Sequence, residues 1–317
     1  MSTEGGTRAI IAALLANTGI AIAKFVAFLI TGASSMLAES VHSVADASNQ
    51  GLLLLGGKRS KRQATAEHPF GFGRERYIYA FIVAIVLFTL GGLFALYEGF
   101  HKIQLVLDGE GELVSPLIAI IVLVVAIILE SLSLRVAIKE SNHVRGSQSW
   151  VQFIRHNRSP ELPVILLEDI GAEVGLIFAL IGVSLSAITG NAIYDGIGTM
   201  GIGLLLVIIA VILAIETKSL LLGESATESD LAQIRAAITA TDDVESIIHM
   251  KTLHLGPEEL LVAAKVAVVA ESTAAEVAAG INAIEQRIRE AVPIARVIYL
   301  EPDIRTRSSH ESTRGGG

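Results

Sequence analysis

MLAESVHSVADASNQ, residues 36–50, stands in the first half of a chain where long apolar runs are the rule. Read as a helix, it places Glu39, His42 and Asp46 inside a greasy segment, with His42 and Asp46 four apart and so on one face. An ionisable group in the bilayer core costs at least ~2.5–3.5 kcal/mol on insertion scales, which makes it a candidate functional residue by default. A carboxylate and an imidazole side by side in a hydrophobic helix therefore call for a chemical reason.

The rest of the chain makes this segment a membrane helix. Of 317 residues, 52% are hydrophobic and 18% charged, and the mean hydropathy is +0.60, a bias rare in soluble domains. A spanning helix needs about 20 mostly apolar residues. Six segments qualify, about 8–30, 34–56, 77–100, 114–138, 163–188 and 194–217, giving an all-α six-helix transmembrane domain over residues 1–220. The first stretch, Ala9 to Ile30, lacks a convincing basic start and cleavage site, so it reads as the first span and not as a signal peptide. An even count puts both termini on one side. The connection after the second span carries Lys58, Arg59, Lys61, Arg62, Arg74 and Arg76, and that after the fourth carries Lys139, Arg145, Arg155 and Arg158. The loop from His101 to Leu113 has Lys102 against Asp108, Glu110 and Glu112. The positive-inside rule then makes the termini cytoplasmic, with the protein in the plasma or inner membrane if bacterial.

After Lys218 the pattern changes. Asp230 to Thr239 and Thr273 to Ala291 read as helices, and Val244 to Leu255, Glu259 to Val269 and Ala295 to Leu300 as strands, the first two around a turn at Gly256 and Pro257. This αββαβ order implies a cytoplasmic, ferredoxin-like α+β domain over residues 221–304, followed by a disordered tail, 305–317. From Glu224 to Asp303 there are 14 acidic and 6 basic residues, which accounts for the net charge of -8 and argues against a nucleic-acid partner. Cysteine is absent, so any bound metal must use nitrogen and oxygen ligands.

The fifth span supplies a second clamp. In LLEDIGAEVG, Asp169 and Glu173 are again four apart. At 1.5 Å rise per residue, in ~30 Å of hydrocarbon, His42 and Asp46 lie about 18 and 12 Å from the cytoplasmic boundary. Asp169 and Glu173 come out at about 9 and 15 Å by the same rise. Neighbouring helices would set His42 against Glu173 and Asp46 against Asp169, four N/O ligands suited to a divalent transition metal, zinc being the natural tetrahedral choice. The plainer alternative, that these groups only pair with one another, is weakened by the matched depth. Glu168 points about 100° away from Asp169, so a contact to another helix or the loop competes with ligation. Glu39 is either an outer relay or a partner of Lys24. Glu130 in the fourth span has no partner at helical spacing, and Asp195 reads as an interfacial residue at the outer mouth.

Taken together, SSMLAESVHSVADASNQ, the loop HPFGFGRERY, the six spans and the αββαβ domain resemble the cation diffusion facilitator family, which includes the animal ZnT zinc transporters. The LLED phrase resembles the mitochondrial-type branch. The resemblance covers about Ala9 to Pro302. It implies a homodimeric transporter, not an enzyme, that exports a divalent metal in exchange for protons without a prosthetic group. Its transport site would fall on His42, Asp46, Asp169 and Glu173. Two accessory family sites look impaired: His68 remains in the loop, but Phe72 replaces the second histidine, and at the cytoplasmic interface His249 matches while Lys265 and Leu300 stand where ligands are expected. Strand alternation puts His254 on the opposite face from His249.

Charge balance suits exchange, because metal needs deprotonated ligands and protons therefore compete with it at one site. Zn²⁺, Fe²⁺, Mn²⁺, Co²⁺ and Ni²⁺ all remain candidate cargoes. Two other readings stay open: a passive cation channel, for which carboxylate rings suffice, and an intramembrane metal hydrolase, although no HExxH is present and Ser43 follows His42.

Overall fold

The computed structural model describes residues 18–110, 116–240 and 244–304. The expected beginning of the first span (8–17) and the expected tail (305–317) lie outside the described residues. The described chain is mostly helical and ends in a small three-stranded sheet. It divides into two units, one containing the chain up to Arg59 with Glu75–Lys218, the other Ser60–Arg74 with the chain from Ser219 onward. The basic loop Ser60–Arg74, expected to belong with the membrane helices, thus groups with the C-terminal unit.

In the first unit α1 (Thr18–Thr31) ends at Gly32, whose φ of 65° is open to glycine without strain. Helix α2 (Ser34–Arg59) follows at once, then α3 (Glu75–Leu107), α4 (Pro116–Arg145), α5 (Trp150–His156), α6 (Glu161–Thr189) and α7 (Ile193–Leu222). Helices α3, α4 and α7 are long and apolar enough to cross a membrane. The ionisable clamps lie on α2 and α6, long helices whose greasy stretches are interrupted by those same residues. Short α5 was not expected from hydropathy. Its signal is a capping box, in which Ser149 Oγ accepts from the Gln152 amide and Gln152 Oε1 accepts from the Ser149 amide.

The core of this unit joins small and branched side chains from every long helix, among them Met36, Val83, Leu123, Leu176 and Leu206. On α4 the outward side chains Leu117, Ile121, Val125, Ile128 and Val136 are exposed, as suits a face meeting hydrocarbon. Helices α3 and α7 meet backbone to backbone. A Cβ on Gly203 would come to 2.6 Å from the Leu96 amide nitrogen and 2.9 Å from the Gly92 carbonyl oxygen, so only glycine fits. Gly203→Ala is therefore expected to destabilise by about 1–3 kcal/mol through overpacking, seen as a lower thermal unfolding midpoint in detergent. An unchanged midpoint would mean that the helices separate freely.

Polar residues within the unit are tied across helices. The Lys24 ammonium of α1 donates to Glu39 Oε2 (3.0 Å) and Ser43 Oγ (2.9 Å), and both charged side chains are buried. Of the two roles expected for Glu39, the structure places it with Lys24. Asp195, expected as an interfacial residue, is instead fully buried against the start of α2.

The second unit contains α8 (Glu228–Thr239), β1 (Val244–Gly256), β2 (Glu259–Val268), α9 (Ala274–Ala291) and β3 (Val297–Asp303). Strand β2 is central, antiparallel to β1 (Leu253 opposite Leu261) and parallel to β3 (Val262 opposite Ile298). Ile234, Ile238, Ile284 and Ile288 of the two helices pack with Val262, Val266 and Ile298 of the sheet. Thr227 caps α8, and a Thr273–Glu276 capping box opens α9. Thr273 amide donation holds the Glu276 carboxyl below its ordinary range.

Candidate metal site

Helix α2 is the neighbour of α6, as the matched clamps require. The two helices and α4 enclose a small polar cavity lined by Asp46, Gln50, Glu130, Ser133, Glu168 and Asp169, with Ser43 and Ile165 at its edges. Asp46 and Asp169 thus face one space, as their depths predict. Asp169 Oδ2 accepts from Ser133 Oγ at 3.1 Å. His42 is buried one turn before Asp46, its Nε2 3.4 Å from Asp46 Oδ2. Among the described residues neither ring nitrogen of His42 has a hydrogen-bond partner, and Asp46 Oδ1 has none either.

The two glutamates of α6 have different surroundings. Glu168 lies on the cavity wall, its Oε1 accepting from Asn49 Nδ2 at 2.6 Å, although its helical angle sets it apart from Asp169. Glu173 is turned toward α4, where its Oε1 accepts from Ser131 Oγ at 2.7 Å. Glu130, which no spacing rule pairs with anything, joins the cavity from α4 and lies within electrostatic reach of His42, Asp46 and Asp169. Its only sequence signal was a carboxylate in an apolar span. Among the described residues no three His, Asp or Glu side chains converge closely enough to grip an ion. Direct ligation by four groups would thus require side-chain rotation or an approach of α2 and α6.

Leu87–Leu93 of α3 forms a π-helical turn, the kind of widened segment that recurs at functional sites. Its Gly91 lies beside the imidazole, where a Cβ would stand at an ordinary contact distance of 3.7 Å from His42 Nδ1. Glu39 Oε1 lies against α6 at Gly175, where a Cβ would come to 2.8 Å.

The accessory positions hold no comparable cluster. In the loop, His68 lies against Phe72 with ring centroids 4.7 Å apart and planes tilted by 32°, and the Arg62 guanidinium sits 4.3 Å from the Phe72 ring centroid. On the sheet His249 is exposed and pairs in register with Lys265, whose ammonium binds Asp303 (2.8 Å) and Glu301 (3.1 Å). The Lys265 hydrogen bond holds the Asp303 carboxyl below its ordinary range, and Asp303 and Glu301 push Lys265 up. Lys265 beside His249 is thus engaged by two carboxylates. His254 is buried on the other face, as alternation predicts.

The family model described as "Cation efflux transmembrane domain" matches residues 10–222. The mitochondrial proton-coupled zinc antiporter SLC30A9 of Mus musculus is 32% identical over 256 residues, 80% of this chain and 44% of that protein. Metal tolerance protein C4 of Arabidopsis thaliana is 28% identical over 259 residues, 81% of this chain and 56% of that protein. Magnetosome protein MamB of Magnetospira sp. is 25% identical over 246 residues, 78% of each chain. The chain spans about half the length of the first two of these relatives. A match over residues 10–222 takes in the polar cavity, both clamps and all the apolar helices, and the chain therefore belongs to the cation efflux family.

Proposed function

We propose that the protein is a secondary transporter that moves a divalent metal, zinc first among the candidates, out of the cytoplasm in exchange for protons. It would do so as a homodimer with six membrane helices and cytoplasmic termini. The observation that carries this reading is the sharing of one polar cavity by Asp46 of α2 and Asp169 of α6 within the helix bundle, with His42 beside Asp46. The relatives' names, a proton-coupled zinc antiporter and a metal tolerance protein, support both cargo and counter-ion.

Four carboxylates line the cavity, and no Lys or Arg does. A divalent cation relieves part of that repulsion and protons can relieve the rest, so one set of groups serves both substrates in turn. His42 binds metal only as neutral imidazole, and its protonation from the outer side favours release. Alternating access follows if metal and protons differ in affinity for the inward and outward arrangements. His42, Asp46 and Asp169 are assigned as ligands. Glu168 competes with Glu173 for the fourth place, because Glu168 already lies on the cavity wall.

Proteoliposomes test the assignment. Exchange predicts Zn²⁺ uptake driven by an opposed pH gradient and collapsed by dissipating it. Flux indifferent to the gradient would identify a channel, and hydrolysis without flux an intramembrane hydrolase.

A further inference from the structure

The carboxylate of Asp195, on the first turn of α7, is placed where it receives the start of α2. Its Oδ2 accepts from the Ser34 amide (2.7 Å) and Ser34 Oγ (3.0 Å), and its Oδ1 from the Ser35 amide (3.4 Å) and, by a short bond, from Ser35 Oγ. Asp195, Ser34 and Ser35 are all buried. The first amides of a helix have no partner within it, and their partial positive charge favours an anion. Here the anion comes from a residue 161 positions away, so satisfying the cap also joins α2 to α7. The peptide just before α2 is held as well, the buried Lys102 ammonium of α3 donating to the Gly32 carbonyl at 2.9 Å. On its own helix Asp195 is fixed by its amide, which donates to Ser186 Oγ of α6 at 3.0 Å.

The two ends of α2 differ accordingly. Eight of its first ten residues (34–43) are buried, against two of its last ten, Leu53 and Gly56. The anchored end is also the end nearer the clamp. His42 and Asp46 stand eight and twelve residues beyond Ser34, about 12 and 18 Å along the helix at 1.5 Å per residue. A small tilt at Ser34 is therefore carried to both groups, and placement within about 0.5 Å is what a metal-binding constellation needs.

We infer that Asp195 is a positioning residue for transport: it fixes the Ser34 end of α2 on α7 as a static pivot, from which His42 and Asp46 are aimed at α6. This rests on the transporter reading, with Asp195 outside the ligand set. Asp195→Asn keeps the shape but turns an NH₂ group toward hydrogen-bond donors. In proteoliposomes it is expected to raise the KM for Zn²⁺ about tenfold, the scale of one lost charge-assisted hydrogen bond, with Vmax per folded protein little changed. A merely structural role would lower the yield of folded protein and leave KM alone, so a KM within about twofold of the parent's overturns the inference. If Asp195→Asn does not fold, Ser34→Ala/Ser35→Ala removes two of the four donors and keeps the carboxylate. An increase of KM in that variant supports the pivot, and an unchanged KM overturns it. A readout independent of transport uses the absence of native cysteine. Spin labels on Leu54→Cys and Ile208→Cys, exposed sites on α2 and α7, are expected to give a broader distance distribution when Asp195→Asn or Ser34→Ala/Ser35→Ala is added. An unchanged distribution overturns the pivot even if the parent protein carries no zinc, an outcome that would separately end the transporter reading.

Discussion

Asp46→Ala and Asp169→Ala are each expected to reduce pH-driven zinc flux by about 100-fold or more while the protein still folds. The magnitude follows from metal-site chemistry, in which even the outer partners of a ligand are worth about 10–100-fold in affinity or activity. Each carboxylate occupies its own wall of the cavity, Asp46 on α2 and Asp169 on α6, so neither replaces the other. Folding survives because removing one carboxylate from a cavity lined by four relieves repulsion. His42→Ala is expected to match them, since its imidazole makes no hydrogen bond among the described residues and stands beside Asp46. Within α6 the order of damage separates the candidates for the fourth ligand. Glu168→Gln should cost more than Glu173→Gln, because Glu173 is held by Ser131 outside the cavity wall. Glu173→Ala should likewise cost less than Asp169→Ala. Zinc uptake assays on the purified variants decide the order, and equal losses for Glu173 and Asp169 would assign Glu173 to the ligands.

Lys24→Met is expected to produce the second large effect, on stability. Lys24 and Glu39 have side-chain exposures of 1% and 0%, and the ammonium contacts Glu39 and Ser43 together. Removing one partner of a buried pair leaves an uncompensated charge and costs about 3–5 kcal/mol, whereas replacing both is often nearly neutral. The expected result is a large fall in the unfolding midpoint for Lys24→Met that Lys24→Met/Glu39→Gln largely reverses, a strong non-additivity between contacting sites. Additive losses would show that the two side chains do not depend on one another. The pair also explains why Glu39, although one turn from His42, is not assigned as a ligand: its carboxylate already has a tethered cation.

Much of this was legible in the sequence, and what was hidden has one physical character. The i, i+4 clamps on α2 and α6 stood out because helical periodicity places His42 with Asp46 and Asp169 with Glu173 without knowledge of any other helix. The strands β1 and β2 were equally plain, bounded by the turn at Gly256 and Pro257. Asp195 and Glu130 were not, since their partners belong to other helices and no local rule connects them. Asp195 looked interfacial because it opens a span, yet α2 begins against it and removes it from water. Glu168 stood as an accessory candidate because its helical angle turns it from Asp169, but a cavity walled by three helices gathers side chains from a wider arc than a two-helix clamp. The surroundings of the loop and sheet histidines were visible in the residues themselves, Phe72 beside His68 and Lys265 opposite His249.

The central claim is that α2 and α6 hold one cation between them. Anomalous diffraction recorded at the zinc absorption edge from crystals grown with Zn²⁺ locates the ion itself. The account predicts a peak between His42, Asp46 and Asp169 that disappears in Asp46→Ala. A peak elsewhere in the membrane unit, with that cavity empty at saturating zinc, would contradict it.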